Sequence, residues 1–198
     1  MSTATLPPPA PVHSGLRLLT IADLAALPER LPSGDVRYEL HDGKLIVIPP
    51  PGGPHSRRQI RFGHYLLAEG EFKGHGEAHI EVGIILRRYP DHVVGADAAF
   101  VAASQLPTLM APQGYLTTIP ELVVEVRSKN DTQPEIDTKV SDYLAAGVVL
   151  VWVADLDART VTAYQTNQSP AMFAATDTLT ALPVIPGFAV LVGDLLPA

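Results

Sequence analysis

The sequence predicts an α/β fold: one domain around a single mixed sheet, flanked by helices and carrying a β-hairpin near its start. Three observations carry this. The 198 residues fit one domain and are enough to bury a core. The order strand, strand, strand, helix, strand, strand through the middle of the chain places a sheet at the centre. An Asp42-Gly43 pair between two strand-like runs is a strong hairpin signal. No internal repeat or second domain is visible, so residues 17–198 are expected to form the domain. Residues 1–16, rich in Pro and Ala, are expected to form a disordered or extended tail.

Each element has a local reason. Thr20 followed by Asp23 resembles a capping box that opens a short helix to about Leu27. Arg37 to His41 and Lys44 to Ile48 are the arms of the hairpin. Prolines and glycines between Pro49 and Pro54 break the chain before a helix from about His55 to Phe72, whose apolar face is read as Ile60, Tyr65 or Leu66, and Leu67. Residues 77–88 alternate as a strand, and residues 93–102 form another. Residues 121–127 form a third, in which Leu122, Val124 and Val126 face one way and Val123, Glu125 and Arg127 the other. Ile136, Val140, Tyr143 and Leu144 give helical spacing to residues 134–146, stopped by Gly147. Val148 to Ala154 is a buried strand that pairs with Thr160 to Gln165, and the rest is short strands and turns.

Composition excludes several chemistries. With no cysteine there are no disulfides, thiolate zinc sites or cysteine nucleophiles. A net charge of −7 argues against a broad non-specific nucleic-acid surface but leaves room for a local basic groove. Arg57, Arg58 and Arg61 cluster, although such clusters are usually solvated surface. No signal peptide opens the chain, and Val148 to Ala154 is too short to span a bilayer, so a soluble, cytoplasmic protein without membrane contact is expected.

An ionised Glu125 in so apolar a strand is costly unless a cation pairs with it. Asp97 sits on the preceding candidate strand among small and apolar residues. If the two strands are neighbours, both carboxylates can converge on a hard divalent ion, Mg²⁺ or Mn²⁺, which needs few protein oxygens and keeps waters. Lys139 lies about 60° around the helix from Ile136, at the edge of its buried face. There its ammonium can reach a metal-bound water or a scissile phosphate, which completes the parts for metal-assisted phosphodiester hydrolysis. Each residue also has a plainer reading: an ion pair for Glu125, a strand end for Asp97, and a solvated stem for Lys139. His55 reads as a helix cap or a site residue, Glu81 as surface, and Ser128 as a strand terminator. His64, His75 and His79 lack zinc spacing.

A carboxylate strand, then Glu-x-(basic), then a helix resembles the PD-(D/E)xK nuclease superfamily. More narrowly, the chain resembles the Uma-type family of restriction endonucleases over about residues 17–196. The matching pieces are Tyr38-Glu39-Leu40 with Asp42-Gly43, Pro49-Pro50, His55, Asp97, and Pro120 to Val126 with Ser128. Lys139, Tyr143, Ala146-Gly147-Val148, Val151-Trp152-Val153 and Pro186-Gly187-Phe188 complete them. The resemblance implies a restriction-endonuclease-like fold, a divalent-metal site cutting DNA, and a homodimer. It makes Asp97 and Glu125 the metal ligands, Glu39 an additional acid near the metal or its water, and Lys139 the lysine moved from strand to helix. Two departures stand out: Ala96-Asp97 replaces Pro-Asp, and Arg127 replaces the strand lysine. The rival reading is a catalytically silent, dimeric binding or regulatory module, and a third is hydrolysis of a smaller phosphate ester.

Overall fold

The computed structural model describes residues 17–32, 34–48, 50, 52–128 and 131–197, so the expected tail at residues 1–16 lies outside the described residues. Helix α1 (Ile21–Leu24) opens on the expected capping box, with the Thr20 and Asp23 side chains satisfying each other's backbone amides. Two short strands, β1 (Arg30–Leu31) and β2 (Gly34–Asp35), pair with each other. The hairpin of β3 (Arg37–His41) and β4 (Lys44–Ile48) turns through Asp42 and Gly43 at φ of 56° and 75°. Two successive positive φ values match the turn to the twist of its arms.

Helix α2 (Gly53–Glu69) leads to the long antiparallel pair β5 (Gly76–Arg87) and β6 (His92–Ala102). Strand β7 (Leu122–Val126), helix α3 (Gln133–Ala146) and β8 (Leu150–Asp155) form a strand–helix–strand unit whose strands are parallel. Strands β9 (Thr160–Tyr164) and β10 (Ala171–Ala174) extend the sheet. A second small pair, β11 (Thr178–Thr180) and β12 (Ala189–Leu191), precedes α4 (Val192–Leu195). The main sheet runs β10-β9-β8-β7-β6-β3-β4, with β5 also on β6. This is an α/β fold around a central mixed sheet, flanked by helices and carrying an N-terminal hairpin.

Three partners on one strand require two of them to share an edge. Strand β5 pairs along nearly all of β6, so β3 and β7 both lie on the opposite edge. Strand β3 meets it at Val93, and β7 meets it from Ala98 to Phe100. Between them, from Val94 to Asp97, the edge of β6 is left to side chains, forming a seam.

The alternation expected of β7 is present. Leu122, Val124 and Val126 enter the core beneath α2 and the C-terminal segment, while Val123 enters the core beneath α3 with Ile136, Val140 and Tyr143. Two expectations are corrected. Helix α2 buries Gln59, Phe62 and Leu66, and Ile60 is 63% exposed, because the rows of Phe62 and Leu66 rather than that of Ile60 meet the sheet. Glu81 breaks the alternation of β5 with a φ of 51° and pairs with Arg37 at the surface.

Candidate active site

Asp97 stands one step beyond the last β6–β7 pair, Ala98 with Val124, where the backbone ladder between the two strands ends. Its carboxylate takes over the ladder there: the Val126 amide donates to Oδ2 at 2.6 Å. From α2, Gln59 Nε2 donates to Oδ1 at 2.5 Å, and His55 Nε2 lies 3.0 Å from the same oxygen. His55 and Gln59 are one helical turn apart, which puts both on the face that crosses the seam.

Glu125 projects from the other face of β7. Tyr143 OH donates to Oε1 at 2.6 Å and Lys139 Nζ to Oε2 at 3.1 Å, both from α3 at a four-residue spacing. Glu39 completes the group from β3. The Gly95 amide donates to its Oε1 at 2.9 Å, and His41 Nε2 lies 2.8 Å from its Oε2. The structure therefore brings all four expected residues, Glu39, Asp97, Glu125 and Lys139, to the seam. Asp97 is contacted from α2 and Glu125 from α3, on opposite sides of the sheet.

Charge separates these acids. Burial raises the Glu125 carboxyl, and the neighbouring Asp97 and Glu39 add to this; against Lys139 and the Tyr143 hydrogen bond the result is about 7. Glu39 is also buried, which opposes its charge, but the His41 hydrogen bond, Lys139 and the Gly95 amide hold it below the usual carboxylate range. The charge of Glu125, then that of Glu39 and Asp97, raises Lys139 against its burial, so it is the cation of the cluster. Tyr143 is raised well above the ordinary phenol value by burial and then by Glu125, and stays a neutral donor. For His55, burial opposes the charged form, but the Asp97 carboxylate, with Glu125 and Asp131, raises it overall.

Arg127 does not join the cluster. Its guanidinium donates to Gln133 Oε1 and the Asp131 carbonyl and lies 3.6 Å from Asp155, tying down the loop before α3. Ser128 shares that loop, its amide donating to Asp131 Oδ2. Arg58 and Arg61 donate to the main-chain oxygens of Pro197 and Asp194 and fasten the C-terminal segment, while Arg57 is exposed. Sequence reasoning missed Gln59 and His41 as site residues, and it named Tyr143 in the helical spacing and among the matching pieces without giving it a role in the site. The His55-x-x-x-Gln59 spacing on a helix was the available signal for Gln59.

Among the described residues, no three His, Asp or Glu side chains are grouped to hold a metal ion together. Asp97 and Glu125 would supply hard oxygen donors, the kind that Mg²⁺ takes when waters fill its other positions. The raised Glu125 fits such an ion, because a cation beside a buried carboxyl restores its charged form. No described helix is long and apolar enough to cross a membrane.

A family described as "Putative restriction endonuclease" matches residues 22–194. Among solved structures, the chain is similar to the crystal structure of a "putative nuclease belonging to DUF820" from Anabaena variabilis. The TM-score is 0.72 and the identity 22%, covering 90% of this chain and 97% of that one, a likeness that shows the fold. No curated protein matches the chain.

Proposed function

The chain belongs to the Uma2 family of putative restriction endonucleases, and from that premise we propose that it is a Mg²⁺- or Mn²⁺-dependent endonuclease that hydrolyses DNA phosphodiester bonds. Asp97 and Glu125 are its metal ligands, and Lys139 and Glu39 complete the catalytic set. One observation carries the reading: Glu125 is a buried carboxyl raised to about 7, with the charge of Asp97 acting on it and a lysine ammonium 3.1 Å away. Such a concentration of opposed charge inside a sheet is the usual mark of a functional site.

A divalent ion held there would polarise the scissile phosphate and lower the pKa of a bound water. The protein's own groups do the rest. Lys139 Nζ, kept cationic by Glu125 and Glu39, offers its remaining protons to a phosphate oxygen and neutralises developing charge. Tyr143 OH fixes the orientation of Glu125. Gln59 fixes Asp97 through Oδ1, while the Val126 amide holds Oδ2. With a net charge of −7, DNA is expected to meet the protein through a local basic surface, completed by a homodimer, rather than through its overall field.

The test is plasmid nicking in Mg²⁺ and Mn²⁺ alongside calorimetric Mn²⁺ binding. Wild-type protein is expected to bind Mn²⁺ and nick, and Glu125→Ala to do neither. A second reading, a catalytically silent dimeric module, is favoured by one observation: every oxygen of Asp97 and Glu125 already has a protein donor. Wild-type protein that dimerises but neither binds Mn²⁺ nor cuts DNA at any pH would establish it.

A further inference from the structure

The seam is held on its β3 side by a run of polar side chains that the catalytic set does not use. Arg87 pairs with Asp42 at the hairpin turn, and His92 Nδ1 lies 3.1 Å from Asp42 Oδ1. The His92 ring, 5% exposed, stacks on His41 with centroids 5.1 Å apart and planes inclined by 27°. His41 Nε2 then reaches Glu39 Oε2 at 2.8 Å. The other nitrogen of His92 is buried without a hydrogen bond, and Asp142 Oδ2 stands 3.4 Å from it. Asp142 belongs to α3, the helix that also carries Lys139 and Tyr143.

Simple packing does not call for this arrangement. The buried His92 imidazole loses hydration on its nitrogens, a cost that an apolar ring stacked on His41 would avoid. Here the polar atoms are instead spent on carboxylates at both ends of the stack. The end that matters is Glu39. Its Oε1 accepts from the Gly95 amide and its Oε2 meets His41, so the two contacts together set the orientation of the carboxylate.

We propose that His41 is a positioning residue, steadied by its stack on His92, that fixes the Glu39 carboxylate at the seam beside the rest of the catalytic set. This rests on the nuclease reading for its consequence and on the hydrogen-bond geometry alone for its structural content. Without His41, Glu39 turns away from the seam, and turnover falls while DNA binding is untouched.

His41→Phe keeps the ring stack and the volume but removes the donor; His41→Gln removes the ring but restores an N–H at similar reach. His41→Phe is expected to lower kcat for plasmid nicking about 10-fold, the usual scale for a residue that orients a catalytic group, with KM for DNA within twofold. His41→Gln is expected to recover most of that loss. Amide hydrogen exchange at Gly95 gives a readout independent of activity: in metal-free protein its exchange quickens at least tenfold in His41→Phe and not in His41→Gln, while the rest of β6 keeps its protection. If Gly95 responds this way but the wild type does not cut DNA, the nuclease reading fails and the positioning of Glu39 stands. Unchanged Gly95 exchange in His41→Phe, or equal impairment of the Phe and Gln variants, would overturn the proposal.

Discussion

The two sides of the seam solve the same problem in opposite ways. On the β3 side, Glu39 is buried and its two oxygens are met by a backbone amide and an imidazole, so the protein itself completes it and it stays ionised. On the β7 side, Glu125 has a phenol and an ammonium as partners, yet burial, reinforced by the charges of Asp97 and Glu39, raises its carboxyl to about 7. The difference is what assigns the proposed cation to the β7 side. Glu39 has no charge debt, whereas Glu125 carries one that a divalent ion would cancel.

Replacing the two glutamates separately should break this symmetry most clearly. Glu125→Ala is expected to reduce both Mn²⁺ binding and nicking to background. Glu39→Gln is expected to lower nicking about 10- to 100-fold while leaving Mn²⁺ affinity within threefold. Equal loss of Mn²⁺ affinity in both variants would erase the distinction.

Proton linkage sharpens the same contrast in metal-free protein. Glu125 is raised from 4.5 to about 7, so the folded state holds a proton that the unfolded state has released. Stability therefore falls as pH climbs from 4.5 to 7, by on the order of 3 kcal/mol, and levels off above. Glu39 is shifted the other way: its contribution is present above 4.5 and is lost as pH falls through its depressed folded value. Urea unfolding across pH 3 to 8 should show the first slope vanish in Glu125→Gln and the second in Glu39→Gln. An unchanged profile in either variant contradicts the assignment.

Tyr143→Phe removes one hydrogen bond without altering the packing of α3. It should cost about 1 kcal/mol in chemical denaturation, raise the Glu125 carboxyl further, and move the Mn²⁺-binding midpoint to higher pH. The smallest effect is expected at Arg127. Its guanidinium serves the loop before α3, so Arg127→Ala should leave Mn²⁺ affinity and nicking within about threefold, a loop-anchoring contribution of the surface ion-pair scale. A loss to background would return Arg127 to the catalytic set.

Much of this was legible in the sequence where one periodicity governs one contact. The alternation of β7 placed Glu125 opposite Val124 and Val126, and helical spacing put Lys139 on the rim of the buried face of α3, within reach of it. The hairpin and the α1 capping box follow from local turn and cap chemistry. What escaped depends on the seam. Gln59 is buried because α2 crosses the gap between β3 and β7, and His41 matters because β3 meets β6 at a single pair. Neither the sharing of an edge by two strands nor the rotation of α2 that exposes Ile60 is encoded in a local pattern. The strand lysine's replacement by Arg127 was visible, but its direction was set by the loop at Asp131 and Gln133.

The central claim is that the charge conflict around Glu125 is a cation site shared with Asp97. The anomalous difference map of a crystal soaked in Mn²⁺ tests it most directly. The account predicts a peak about 2.1 Å from an oxygen of each of Asp97 and Glu125, the octahedral contact distance of a small hard ion, with Glu39 still bonded to His41 and Gly95. A map with no peak at the seam, or with a peak on Glu39 and none touching Glu125, would contradict it.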